Sequence, residues 1–264
     1  MREIGYQIRI KREWVVEFIN KYATLFNATE IKLDGGIMQK LYASDFVDFC
    51  NMRGIKRVSF HLPRRALKDA GECARVCDFM MDMKFATDAI LVTHFYENSV
   101  EAEKYAFAIS KVAKDKALTV AVENVEIRAD PFFNITDPFF YMDELKSFAV
   151  ANNFKVCLDI PHLLFSASNA KISQEEVLAY LKRDEWWKGN VVELHLHDFN
   201  TKRCHLNIGE GILDFEVLRE LLDYFDVACP IIIETTIQDL GIQGTAEVNN
   251  LLERVNKNED GFGK

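Results

Sequence analysis

The stretch Val191–Gly211 reads VVELHLHDFNTKRCHLNIGEG, and its first residues alternate. Val192, Leu194 and Leu196 fall in one phase and Glu193, His195 and His197 in the other, the period-two pattern of a strand with one apolar and one polar face. The apolar row suits a layer of helices, so the polar row needs a purpose of its own. Three of the chain's six histidines fall between His195 and His205, beside Asp198, and the loop closes on Gly-Glu-Gly before a helical pattern starts at Asp214. Imidazole and carboxylate at the end of a strand are donors of the kind a divalent metal takes. A lone histidine there serves equally well as a hydrogen-bonded loop or core side chain, so the metal reading depends on what other strands supply.

Seven further strand candidates lie around this one: Gly5–Ile10, Glu30–Asp34, Lys56–His61, Ala89–Phe95, Leu118–Val125, Lys155–Ile160 and Pro230–Thr235. Amphipathic stretches separate them, at Trp14–Tyr22, Asp45–Met52, Ala70–Lys84, Glu101–Asp115, Tyr141–Asn152, Gln174–Lys182, Phe215–Phe225 and Ala246–Val255. Strict strand–helix alternation implies a parallel sheet with right-handed crossovers, and eight units imply a closed (β/α)8 barrel of the TIM type. The 264 residues suit that barrel, which typically takes ~250. No Gly-, Ser- or Pro-rich linker interrupts the chain, so residues 1–264 are expected to form a single α/β domain. The rival α/β arrangement, a doubly wound dinucleotide-binding sheet, lacks its fingerprint: no GxGxxG follows the first strand, and no nucleotide cofactor is expected. The long connections Glu126–Asp137 and Asn200–Leu213 are expected to be functional.

Composition narrows the partners. Hydrophobic residues make up 49% of the chain and charged ones 28%, enough for a core and unlike a disordered segment. A net charge of −9 argues against broad nucleic-acid binding, which relies on Lys and Arg. Neither a signal-like N-terminus nor a run of ~20 apolar residues is present, so a cytoplasmic protein without a membrane partner is expected. The cysteines at 50, 73, 77, 157, 204 and 229 form no CxxC pair and read as reduced thiols.

Strand parity then sorts the side chains. Tyr6, Ile8 and Ile10 oppose Gln7 and Arg9; Ile31 and Leu33 oppose Glu30, Lys32 and Asp34. Arg9, Lys32, Glu30 and Glu193 would face the barrel axis, where an unpaired buried ion is costly, and they are expected to be matched or hydrated structural charges. Nearer the C-terminal ends of the strands, six axis-facing positions carry potential ligands: His61, His94, Glu123, Asp159, His195 and Glu234. That rim is where barrels of this kind build their active sites. His162 follows strand six and His205 lies in the loop after strand seven. Each carboxylate alone has a plainer use: Glu123 could cap a loop, Asp159 begin the Pro161 turn, Glu234 bind an internal arginine. Together, carboxylates on strands five, six and eight and an imidazole on strand seven can converge on one ion.

These residues carry a resemblance. AVENV, CLDIPH, HLHD and HLNIGEGILDF, followed by IIIET, are similar in order and spacing to the xylose isomerase-like barrel superfamily, which includes sugar and sugar-phosphate isomerases and epimerases and endonuclease IV-type apurinic-site nucleases. The resemblance implies that Glu123, Asp159, His195 and Glu234 match the shared single-metal quartet. It further implies that His61 and His94 match histidines that join the strand-five glutamate around another zinc in the nucleases, and that His162 and His205 match two ligands of a third. The nuclease pattern places an aspartate two residues before that loop histidine; this chain has Arg203, which cannot ligate a metal. Asp198 is the carboxylate nearby that could substitute.

The leading expectation is a divalent-metal-dependent isomerase or epimerase of a small sugar or sugar phosphate. By the resemblance, Glu123 and Glu234 would act as base and acid, with His162 and Arg203 binding substrate oxygens. The mixed histidine and carboxylate set favours Mn or Zn over Mg. Arg64, Arg65, Lys202 and Arg203, beyond the strand ends, could bind a substrate phosphate. The alternative is a zinc-dependent phosphodiesterase that cuts nucleic acid at apurinic sites.

Overall fold

A computed structural model of the chain describes residues 3–9, 28–32, 52, 54–55, 57–62, 74, 77–78, 81, 89–95, 100–127, 137–225 and 228–235. Eight strands run β1 (Ile4–Arg9), β2 (Ala28–Lys32), β3 (Arg57–His61), β4 (Ile90–Phe95), β5 (Thr119–Asn124), β6 (Lys155–Asp159), β7 (Val191–Leu196) and β8 (Ile231–Ile233). Each pairs in parallel with the next in sequence, and β8 closes on β1. This is the expected (β/α)8 barrel, with every strand within two residues of its sequence-derived bounds.

The described helices are α1 (Val100–Lys116), α2 (Pro138–Asn152), α3 (Ile160–Asn169), α4 (Gln174–Lys182), α5 (Trp186–Asn190) and α6 (Phe215–Tyr224). None is long and apolar enough to cross a membrane. The expected helices Trp14–Tyr22 and Ala246–Val255 lie outside the described residues. So do Asp45–Met52 and Ala70–Lys84, apart from Met52, Ala74, Cys77, Asp78 and Met81, which are helical. Sequence reasoning missed α3 because Ile160 through Ala167 are all buried, leaving no polar stripe and therefore no amphipathic period. Pro161 sits in its first turn, where the missing N–H removes no helical bond. Cys77, Cys157, Cys204 and Cys229 are thiols rather than disulfides; Cys50 and Cys73 lie outside the described residues.

Parity holds around the barrel. The outward rows, including Ile31, Phe60, Leu91, Val122, Leu158, Leu194 and Ile233, pack against Ile109, Leu145, Leu163, Leu181 and Leu221 of the helices. The inward rows differ in character. On β4, β5 and β6 their lower positions are apolar, with Ile90, Val92, Ala121 and Cys157 in a small cluster of their own. Register puts the polar positions side by side: His94 pairs with Glu123, and Asp159 with His195.

One loop is organised by a single carboxylate. Asp198 Oδ1 accepts from the backbone N–H groups of Phe199 and Leu213 at 2.7 and 3.1 Å, and Oδ2 from Gly209 and Gly211, both at 2.9 Å. A Cβ on Gly211 would lie 2.1 Å from both Asp198 Oδ1 and the Phe199 carbonyl, so the loop closes only on glycine. With its oxygens occupied by four N–H donors, Asp198 organises the loop and is not free to substitute for the aspartate that the nuclease pattern places two residues before the loop histidine. Because a buried donor that loses its acceptor costs about 1–3 kcal/mol, Asp198→Ala should lower unfolding stability by at least about 2 kcal/mol in urea titration. Unchanged stability would show that water replaces the carboxylate without cost.

Candidate metal centre

The inward polar row converges at the C-terminal ends of the strands. Glu123, Asp159, His195 and Glu234, from β5, β6, β7 and the end of β8, each offer a ligand atom within 4.8 Å of the others. All four side chains are buried. His195 Nδ1 lies 3.2 Å from Glu123 Oε1 and 3.3 Å from Glu234 Oε1. The remaining expected residues surround this quartet. His61 Nε2 and His94 Nε2 approach Glu123 Oε2 at 2.8 and 3.4 Å. His162 Nδ1 is 3.1 Å from Asp159 Oδ2, and His205 Nδ1 is 3.7 Å from Glu234 Oε2. Arg203 is exposed on the turn Asn200–Arg203, where its backbone N–H donates to Asn200 Oδ1 at 3.1 Å. Arg64 and Arg65 lie outside the described residues.

Local sequence explains how the carboxylates are aimed. Asp159 uses both of its oxygens: Oδ1 caps α3 by accepting from His162 N–H at 2.6 Å, leaving Oδ2 to face His162 and His197. The turn-forming and ligand readings of Asp159 thus coexist in one side chain. Asn124, next to Glu123, clamps the end of β5 to β6: its Nδ2 donates to the Asp159 carbonyl at 2.8 Å and its Oδ1 accepts from Asp159 N–H at 2.9 Å. Glu123 and Asp159 are therefore spaced by a reciprocal amide–peptide pair.

Sequence reasoning left several participants aside. His197 Nε2 lies 3.3 Å from Asp159 Oδ2, and with His162 and His205 it forms a further group of potential ligands, as do His61, His94 and Glu123. Strand parity already put His197 on the axis-facing row, one residue past the end of β7. Glu30 and Glu193, expected to be matched or hydrated, have His195 Nε2 facing them at 3.1 and 3.4 Å, a partner the sequence did not suggest. Lys32 Nζ donates to Gln7 Oε1 at 3.4 Å. The side chain of Arg9 lies outside the described residues.

The electrostatics follow from burial and crowding. Burial works against charge on His195, yet Cys157, Glu30, Glu234 and Glu123 outweigh it and raise the imidazole well above its usual value. Burial opposes charge on Glu123 too, but His94, His61 and His195 pull it well below the carboxylate range. Glu234 and Asp159 are also lowered against burial, Glu234 by His195 and Lys32, Asp159 by His162 and His197. Partial removal from water takes the ring of His205, whose side chain stays 39% exposed, the other way, to about 4, helped by the charge of His197.

Five buried carboxylates, Glu30, Glu123, Asp159, Glu193 and Glu234, gathered around imidazoles make a strong cation site. Three carboxylates and one imidazole, from adjacent strands, are a donor set suited to a divalent transition metal. The residues present therefore fit such an ion.

A model of the xylose isomerase-like TIM barrel family matches residues 42–255. The chain belongs to that family. Among solved structures, this xylose isomerase-like barrel resembles a 3-keto-D-glucoside 4-epimerase from E. coli with a TM-score of 0.65 and 13% identity, over 96% of this chain and 99% of that one. It also resembles a D-psicose 3-epimerase from Clostridium cellulolyticum H10, solved with D-tagatose, with a TM-score of 0.58 and 14% identity over 98% and 93% of the two chains. A D-psicose 3-epimerase structure obtained with D-fructose gives 0.61 and 13% over 95% and 96%. At these identities the likeness is one of fold. No curated protein sequence matches the chain.

The raised His195 gives a signed prediction. Near neutral pH the metal-free imidazole carries a proton that a ligating nitrogen must lose, whereas Glu123, Asp159 and Glu234 are already ionised. Divalent-metal binding at pH 7 should release protons, that of His195 among them, and affinity should rise with pH. Calorimetry in buffers of different ionisation heat reads the number directly. His195→Ala should reduce the release and weaken binding; release unchanged in that variant would remove His195 from the ligand set.

Proposed function

We propose that this xylose isomerase-like barrel is a divalent-metal-dependent isomerase or epimerase of a small sugar or sugar phosphate. The observation that carries the reading is the buried quartet Glu123, Asp159, His195 and Glu234 at the C-terminal rim, with three anionic donors and one imidazole within reach of one point. The structural neighbours whose names are epimerases of small sugars support it. A divalent ion held there would polarise adjacent carbonyl and hydroxyl oxygens of the sugar and so acidify the C–H between them.

The chain's own residues supply the proton transfers. Glu123 and Glu234 both approach His195 Nδ1, and both are held in the ionised form, so either can accept a proton from carbon. Their surroundings distinguish them. Glu123 is enclosed, with Oε2 against His61 and His94, while Glu234 lies beneath His205, whose side chain is 39% exposed. Glu123 then serves from inside the barrel as the base that takes the proton from carbon, and Glu234, on the side open to solvent, first takes up a proton from water and then returns it to the opposite face of that carbon. His162 is assigned to a substrate oxygen and Arg203, on the exposed turn, to a substrate phosphate, which a guanidinium binds through paired charged hydrogen bonds.

The test is proton exchange at the carbon next to the carbonyl in a panel of ketoses and their phosphates, using metal-loaded protein in deuterated water. At least one sugar should exchange, and Glu123→Gln or Glu234→Gln should each slow it by at least ~100-fold. Arg203→Asp should raise KM for phosphorylated substrates alone. Exchange in no sugar, together with rapid incision of a duplex containing an abasic site, would replace this reading with the phosphodiesterase.

A further inference from the structure

His195 has two ring nitrogens in two different surroundings. Nδ1 faces Glu123 and Glu234, members of the quartet. Nε2 faces Glu30 Oε2 at 3.1 Å and Glu193 Oε1 at 3.4 Å, carboxylates to which the proposed reaction gives no role. Both are fully buried, and a carboxylate without solvent persists where a donor or cation faces it. Glu30 is held from its other side as well. Its Oε1 accepts from Gln7 Nε2 at 2.6 Å, and Gln7 Oε1 in turn accepts from Lys32 Nζ. The carboxylate plane is thereby fixed with Oε2 toward the imidazole.

A neutral imidazole has one N–H and one lone pair, and an ionised carboxylate accepts only. Both nitrogens face carboxylates, so the cation decides: with an ion among the quartet that Nδ1 faces, the lone pair is used there and the hydrogen is left on Nε2, toward Glu30 and Glu193. We propose that Glu30 and Glu193 are positioning residues: they hold the metal-bound His195 as its Nε2–H tautomer and so make Nδ1 the ligating atom. This rests on the metal-dependent reading above, though not on the identity of the sugar. The competing geometry is a cation on the other side of the ring, since Glu30, His61, His195 and Glu234 also offer atoms within 4.8 Å of one another. On that side Glu30 Oε1 already accepts from Gln7 Nε2, with Lys32 behind the amide, and both oppose a cation there; the same amide also donates to Glu234 Oε1, an atom of the quartet, so the measurements below decide between the two sides of the ring.

Two measurements on the full chain test the assignment, with zinc as the probe. In the zinc-loaded protein labelled with nitrogen-15 histidine, long-range proton–nitrogen correlation should find the His195 hydrogen on Nε2 and the metal-shifted resonance on Nδ1. In chelator competition, Glu30→Ala should weaken zinc binding by roughly 10–100-fold, as loss of a ligand's outer hydrogen-bond partner does, and Glu30→Gln, which keeps an acceptor oxygen, should restore most of the loss. A hydrogen on Nδ1 with zinc on Nε2, or wild-type affinity in Glu30→Ala, overturns the proposal and leaves the metal-dependent reading standing. Wild-type protein that binds no zinc overturns both. If Glu30→Ala does not fold, the tautomer in the wild type decides.

Discussion

His195 sits between two pairs of carboxylates with no exposed surface, Glu123 and Glu234 at one nitrogen, Glu30 and Glu193 at the other. Carboxylates gathered out of water need positive charge beside them or a proton of their own, and burial with Glu30 alongside pushes Glu193 toward the protonated form. Among the described residues, imidazolium at the raised His195, His61 and His197 supplies the positive charge, with Lys32 beside Glu234, and a divalent ion would supply it in their place. A divalent ion bound through His195 would compete with the proton for the same nitrogen, so the electrostatics that stabilise the metal-free interior would also make its binding dependent on pH.

The barrel produces this concentration by simple means. Period-two strands send Ile and Leu out to the helices and Glu, His and Asp in to the axis, and parallel register sets His94 beside Glu123 and Asp159 beside His195. Loops and caps then fix the rim. Asn124 ties β5 to β6, Asp159 starts α3 with one oxygen and faces the centre with the other, and Asp198 gathers the loop that carries His205. Stability and function share residues here. A substitution at Asp159 removes a helix cap as well as a candidate ligand, so its effect on activity has to be separated from its effect on folding.

The sequence made legible whatever depends on period and order. Alternation placed the eight strands, and their ends placed His61, His94, Glu123, Asp159, His195 and Glu234 on one rim, which the geometry brings together. Features that depend on contact between distant strands were not legible. Glu30 and Glu193 carry the parity of the lumen but nothing in sequence ties them to His195 Nε2 in preference to Arg9 and Lys32. Asn124 stands inside the quoted AVENV motif, yet its reciprocal bond to Asp159 crosses from β5 to β6. Helix α3 was hidden by its own burial, and Asp198 looked like a ligand because an acidic residue after HLH offers no sign that four backbone N–H groups will take its oxygens.

The central claim is that one divalent ion binds where four strands meet. Crystals of the protein grown with manganese, measured at a wavelength where manganese scatters anomalously, test it most directly. The account predicts an anomalous peak enclosed by Glu123, Asp159, His195 and Glu234, with Nδ1 of His195 as the nitrogen facing it. A peak on the Glu30 side of the ring, or no peak among these side chains, would contradict it.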